Sequence, residues 1–201
     1  MPGSPIAILG GTFDPPHLGH LVLAECARWQ FGCARVLLMP AGDPYRKTGT
    51  DTAENRRASA PAPRQVTPAA TRLEMVRLAI AGNPGLVADA REVQRPGPSY
   101  TVDTLEELRR EGHAEIILVL GSDSVSDLPN WREPERIALL ARIVVVEKEP
   151  GAGTGGFERV EMPLLRVSST EVRARVAAGK PIRYLVPEAV REFIERERLY
   201  R

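Results

Sequence analysis

Apolar positions in this chain gather into short, nearly unbroken runs, with stretches of helical period between them. The runs at Ile6–Leu9, Arg35–Met39, Glu115–Leu120 and Arg142–Val146, with a weaker one at Leu86–Ala88, have strand length and little polar alternation. Such strands are buried on both faces, which is the habit of parallel sheets. Between them, Leu18–Phe31, Ala70–Ala81, Val102–Arg110 and Pro134–Leu140 repeat apolar residues at helical spacing. Strand and helix alternation predicts an α/β fold built on a doubly wound parallel sheet. Residues 168–201 read as two helices. Gly179 ends the first, and Val190, Phe193 and Ile194 mark the buried stripe of the second. The expected organisation is a core at 1–167 and a small C-terminal helical subdomain of the same domain at 168–201.

Two segments break the pattern. Gly42–Pro68 is rich in Pro, Ala, Thr, Arg and Gly and is too long for an ordinary connection, so it is expected to be a mobile surface loop. Gly151–Gly156 reads as a connector. A length of 201 residues suits one α/β domain with a substantial core. With 27 basic and 26 acidic residues there is no global field to attract nucleic acid or an anionic membrane, so any anion site must be local. No apolar run spans a bilayer and the first residues lack a signal-peptide pattern, so a soluble cytoplasmic protein is expected. Cys26 and Cys33, seven residues apart around one helix end, would lie roughly 10 Å apart on a continuous helix, beyond disulfide reach. They are expected to be reduced, and they lack zinc-site spacing.

The chemistry concentrates where strands end and helices begin, where ligands of such sheets bind. After the first strand comes Gly10-Gly11-Thr12-Phe13-Asp14-Pro15-Pro16-His17-Leu18-Gly19-His20. A glycine turn into a helix offers backbone amides and a positive helix end to a phosphate. Histidines three residues apart share a helix face and can reach one bound group. No reductase-type G-x-G-x-x-G is present. Near the other end, Val167-Ser168-Ser169-Thr170-Glu171-Val172-Arg173 opens a helix. Ser168 and Glu171 make a capping box, which leaves Ser169, Thr170 and Arg173 for a second phosphate grip. Alternatives stay open at this stage: a helix-capping or core role for the histidines, or half of a zinc site, with His113 simply exposed.

His17-Leu18-Gly19-His20 resembles the T/H-x-G-H signature of the nucleotidyltransferase superfamily, and the full eleven residues resemble its nicotinate mononucleotide adenylyltransferases. The 167–173 segment resembles the superfamily's I-S-S-T-x-x-R. Gly97-Pro98-Ser99-Tyr100-Thr101 resembles the family's G-P-S-Y-T, Leu128-Pro129-Asn130-Trp131 its L-P-x-W, and Gly121-Ser122-Asp123 its G-x-D. The resemblance implies a Rossmann-like fold and transfer of an adenylyl group from ATP to nicotinate mononucleotide. By it, His17, His20, Lys47 and Arg173 act on the reacting phosphates. ATP would be held by Gly10, Gly11, Thr12, Phe13, His17, His20, Gly121, Asp123, Ser168, Ser169, Thr170 and Arg173. The mononucleotide would be held by Thr12, Phe13, Lys47, Ser99, Tyr100, Thr101, Trp131 and Arg132, with the indole stacked on the pyridine ring. Magnesium would arrive on substrate phosphates rather than in a protein-built metal site. No nucleic-acid or membrane partner is implied, and a homo-oligomer is compatible with the pattern.

The chain departs from that pattern in places. Pro44-Tyr45-Arg46-Lys47 stands where P-P-H-K is usual, so Arg46 replaces an imidazole with a guanidinium. About a dozen extra residues lengthen the following loop. Arg132 stands where Tyr is frequent, and Glu149 where Arg is. Two rivals remain at this stage. One is another small nucleotidyltransferase, such as a phosphopantetheine adenylyltransferase or a cytidylyltransferase. The other is a non-catalytic nucleotide-binding or RNA-binding protein on the same fold.

Overall fold

The computed structural model describes residues 4–45, 65–147, 151 and 153–201. Among them, the chain runs β1 (Ile6–Gly11), α1 (Leu18–Gln30), β2 (Arg35–Pro40), α2 (Ala69–Ala79), β3 (Leu86–Ala88), α3 (Arg91–Gln94), α4 (Thr101–Arg110) and β4 (Ile116–Gly121). It continues through α5 (Ser122–Asp127), a 3₁₀ turn (Leu128–Asn130), α6 (Pro134–Leu140), β5 (Arg142–Val146), β6 (Glu158–Arg159), α7 (Ser169–Ala177) and α8 (Glu188–Arg196). The six strands form one sheet, ordered β3-β2-β1-β4-β5-β6, with every pairing parallel.

The unbroken apolar runs are explained by burial on both faces. Ile6, Ile8, Leu37, Met39, Ile116 and Leu118 pack on one side with Leu105 and Leu108 of α4 and Ile137 of α6. Their neighbours Ala7, Leu9, Val36, Leu38, Ile117 and Val119 pack on the other with Leu23 and Ala27 of α1 and Val76 of α2. Strand alternation thus feeds two cores at once. A third cluster joins Met75 of α2 to Val172, Ile182, Val190, Phe193 and Ile194. The expected stripe of α8 is the face that docks on α2.

β1 lies between β2 and β4, and the chain visits one side of it before the other. This is the topological switch point, and the crevice beyond the carboxyl ends of β1 and β4 is the default ligand site of such sheets. One expectation changes here. Gly10 and Gly11 are not a turn: β1 runs through both, pairing Gly10 with Met39 and Gly11 with Pro40. The sheet ladder needs only their backbone, so the change of direction falls at Thr12–Pro16 instead.

The elements that the pattern did not predict are short and polar. β6 is two exposed residues held by backbone pairing to Val144 and Val145. α5, with the sequence SDSVSD, has almost no apolar period. The 42–68 segment is described only at 42–45 and 65–68. Among the described residues, no helix is long and apolar enough to cross a membrane. Both thiols are unbridged, and burial pushes that of Cys33 up to about 11, which leaves it inert.

Candidate active site

An open cavity of about 1440 Å³ occupies the crevice, above the usual range for a pocket that holds one small ligand. Gly10, Gly11, Thr12, Phe13, His17 and His20 line it from the β1 end. Ser168, Ser169, Thr170 and Arg173 line it from the start of α7. Gly121 and Asp123 line it after β4, Ser99, Tyr100 and Thr101 at the start of α4, and Trp131 and Arg132 after the 3₁₀ turn. Residues far apart in sequence therefore share one space. Arg46, Lys47 and Glu149 lie outside the described residues.

His17 is the N-cap of α1 with extended backbone, and His20 is its third residue. The rings nevertheless stack, centroids 3.7 Å apart and planes 25° from parallel. The capping role is present, the His17 backbone N–H donating to His20 Nδ1 at 3.2 Å, and both rings also line the cavity. A nitrogen that accepts carries no proton, so neutral His20 holds its proton on Nε2. A Cβ on Gly19 would sit 3.1 Å from His17 Nδ1 and from Val167 Cγ1, so a larger residue there would need those side chains to shift. Two first-turn amides of α1 are already engaged, Leu18 N–H by the Leu185 carbonyl and His20 N–H by that of His17. An anion at this end would therefore find the imidazoles more available than these two helix amides. A Cβ on Gly10 would project into open space, so a ligand can approach this backbone closely.

The α7 motif divides into holding and facing groups. Ser168 caps the helix, its Oγ accepting the Glu171 N–H at 3.1 Å. Ser169 commits its one hydroxyl proton to the Pro15 carbonyl at 2.8 Å, so a phosphate contact from this residue would come from its backbone. Arg173 donates from Nη1 to the Asp14 carbonyl at 2.7 Å and from Nη2 to Thr170 Oγ1 at 3.2 Å. Those bonds fix the guanidinium beside the histidine turn and leave the Thr170 proton for another acceptor.

Around Tyr100, which also lines the cavity, the contacts are aromatic. Tyr100 is the N-cap of α4; Tyr45 tilts against its ring at 5.3 Å, and the Arg132 guanidinium lies over it at 4.8 Å. Trp131 donates its indole N–H to Asp127 Oδ2 at 3.4 Å, and Asn130 donates to Asp127 Oδ1 at 3.0 Å. The ring plane is thereby held from behind. The Arg132 side chain turns toward Asp103 and Glu133, at 3.7 and 3.6 Å.

Sequence reading missed three contributors. Arg72 of α2 is 1% exposed and donates to the carbonyls of Thr12, Gly42 and Thr67, tying together the loops after β1 and β2. Tyr45 is buried against Tyr100. Glu92, in the four-residue α3, lines the cavity and accepts the Thr104 hydroxyl at 2.8 Å. A lone Arg or Glu in a polar helix has no signal that separates it from a solvated face.

Burial pushes the Glu92 carboxyl up from 4.5 to about 6, against the opposing pull of the Thr104 hydroxyl and Arg95. A raised acid means that the folded state binds its proton more tightly than the unfolded chain does. The stabilisation is therefore complete below pH ~4.5 and is lost as pH rises through about 6. Glu92→Gln, neutral throughout, is expected to gain about 2 kcal/mol over wild type near pH 8 and nothing near pH 4. Urea titrations across that range check it, and parallel stability curves for the two proteins would remove this account.

A switch-point crevice with two motifs converging on one cavity defines a Rossmann-like nucleotide-handling protein. The chain belongs to the cytidylyltransferase-like family of nucleotidyltransferases, whose model matches residues 8–175. It is 44% identical to a probable nicotinate-nucleotide adenylyltransferase of Roseiflexus sp. (strain RS-1), with all of both chains covered. A protein of the same name from Thermomicrobium roseum is 42% identical, covering 98% of this chain and 92% of that one. Among solved structures, the nicotinic acid mononucleotide adenylyltransferase of Plasmodium falciparum in complex with NaAD has a TM-score of 0.73 at 17% identity, covering 98% and 97%. At that identity the likeness speaks for the fold. No three His, Cys, Asp or Glu side chains gather at a metal-binding distance among the described residues.

Proposed function

We propose that this chain transfers the adenylyl group of ATP to nicotinate mononucleotide, forming nicotinate adenine dinucleotide and pyrophosphate. A phosphate oxygen of the mononucleotide forms the new bond to the α-phosphorus of ATP, and the bond from that phosphorus to pyrophosphate breaks. The observation that carries the reading is the shared cavity. Imidazoles from residues 17–20, a guanidinium from 173, a tryptophan and two tyrosines all line it. The names of the full-length relatives support the same substrate pair.

Such a reaction asks for positioning and charge stabilisation more than for covalent chemistry. His20 Nε2–H and Arg173 would donate to oxygens on which charge builds as pyrophosphate leaves. The negative charge of a bound triphosphate beside the stacked rings would favour their cationic form. Thr170 would add a hydroxyl donor, and Lys47 a further cation. The Trp131 indole, held by Asp127, would stack on the electron-poor pyridine ring beside the Ser99–Thr101 backbone. Magnesium would arrive as a substrate-borne ion that neutralises phosphate charge.

The test is to incubate the protein with ATP, magnesium and nicotinate mononucleotide, and to follow pyrophosphate. A parallel panel offers nicotinamide mononucleotide, phosphopantetheine, and CTP as alternative donor. Turnover with the nicotinate substrate well above every other pairing is expected. No pyrophosphate release above a His17→Ala/His20→Ala control rejects the reading, and preference for another pairing reassigns it.

A further inference from the structure

The turn that presents the histidines is held from outside at four points. Arg72 donates to the Thr12 carbonyl at 2.9 Å, Arg173 to that of Asp14 at 2.7 Å and Ser169 to that of Pro15 at 2.8 Å. The fourth bond differs in kind: the Tyr200 hydroxyl donates to the Asp14 side chain, Oδ1, at 2.8 Å across 186 residues of sequence. Asp14 is 1% exposed, so this carboxylate relies on protein partners in place of water. The preceding residue, Phe13, has φ 49°, a left-handed conformation that a bulky side chain keeps only where its surroundings enforce it. Arg198 and Tyr200 are left-handed too, at φ 53° and 64°, so the chain bends twice to bring this phenol to Asp14. Burial and the Asp14 carboxylate push the phenol's ionisation far above the usual tyrosine range, so it is a donor at every working pH.

We propose that Tyr200 is a positioning residue for adenylyl transfer, fixing the Phe13–Pro16 turn through Asp14 and, through that turn, the facing of the His17–His20 pair. It rests on the function proposed above. Tyr200 itself touches neither substrate. Its ring packs against the α2–α8 cluster and would go on doing so without the oxygen, so Tyr200→Phe removes only what the hydroxyl does, the Asp14 bond together with its contacts to Thr67 and Met75 Sδ.

The sequence has three histidines, and His113 lies at the turn before β4, at the end of the sheet away from the cavity. It serves as an internal control. In Tyr200→Phe, kcat per folded molecule is expected to fall about tenfold while both KM values stay within about threefold, as a small misplacement of reacting groups predicts. Imidazole ¹⁵N resonances of His17 and His20 should move and that of His113 should not. A thermal melt supplies the folded fraction. A kcat within twofold of wild type, a loss that merely follows the folded fraction, or unmoved His17 and His20 resonances each overturns the proposal. A wild type without adenylyl transfer would sink the proposed function instead, while the resonances would still decide whether Tyr200 sets the histidine turn.

Discussion

His20→Ala is expected to lower kcat for adenylyl transfer by about 100- to 1000-fold, with KM for nicotinate mononucleotide changed less than about threefold. The expectation follows from where its protons are. His20 lines the cavity, and its Nδ1 accepts the His17 N–H, so the neutral ring carries its proton on Nε2 and cannot flip without breaking that bond. A donor fixed before the reaction needs no reorganisation when charge appears on a phosphate oxygen, which is where such groups matter most. His20→Asn separates the donor from the cation: it retains an N–H but no charge and should recover only part of the loss. Stopped-time pyrophosphate assays at saturating ATP check this. A rise in KM with kcat unchanged would mean that His20 serves ground-state binding.

Replacement of Arg173 is expected to cost at least as much, by a different route. Arg173→Ala removes a cation that lines the cavity and also the bond to the Asp14 carbonyl, so, on the proposed function, kcat/KM for ATP should fall about 1000-fold. Arg173→Lys keeps one charge, yet an ammonium cannot reproduce a planar fork that reaches Asp14 and Thr170 together. About a 100-fold loss is expected there. Inhibition by inorganic pyrophosphate separates the two roles. If Arg173 grips the triphosphate, pyrophosphate should bind Arg173→Lys about tenfold more weakly. If it only braces the turn, pyrophosphate affinity should hold while kcat falls.

Much of the fold was legible because burial on both faces removes polar alternation, leaving runs such as Ile6–Leu9 and Glu115–Leu120 as unambiguous strands. The α8 stripe of Val190, Phe193 and Ile194 was equally plain, and α2 receives it. Elements held by backbone pairing alone, such as β6 and the last two residues of β1, left no side-chain signal to read. Ser168 was legible as a cap, since its bond to Glu171 spans one helical turn. Ser169 was not: nothing local says that its hydroxyl would go to Pro15, 154 residues away, instead of toward a ligand. Glu92 and Arg72 were invisible for the same reason, because their burial is set by loops from elsewhere in the chain.

By itself, then, the order of residues determined the alternating sheet, the two strand-to-helix motifs and the chemistry each can offer, since these depend on neighbours within a few positions. Only the tertiary structure decided that residues 10–20 and 168–173 face one cavity, which donors face it and which brace the turn, and that Tyr200 reaches Asp14. Those outcomes depend on distances across the sheet, where hydrogen-bond partners are chosen by packing of α2, α7 and α8 rather than by spacing along the chain.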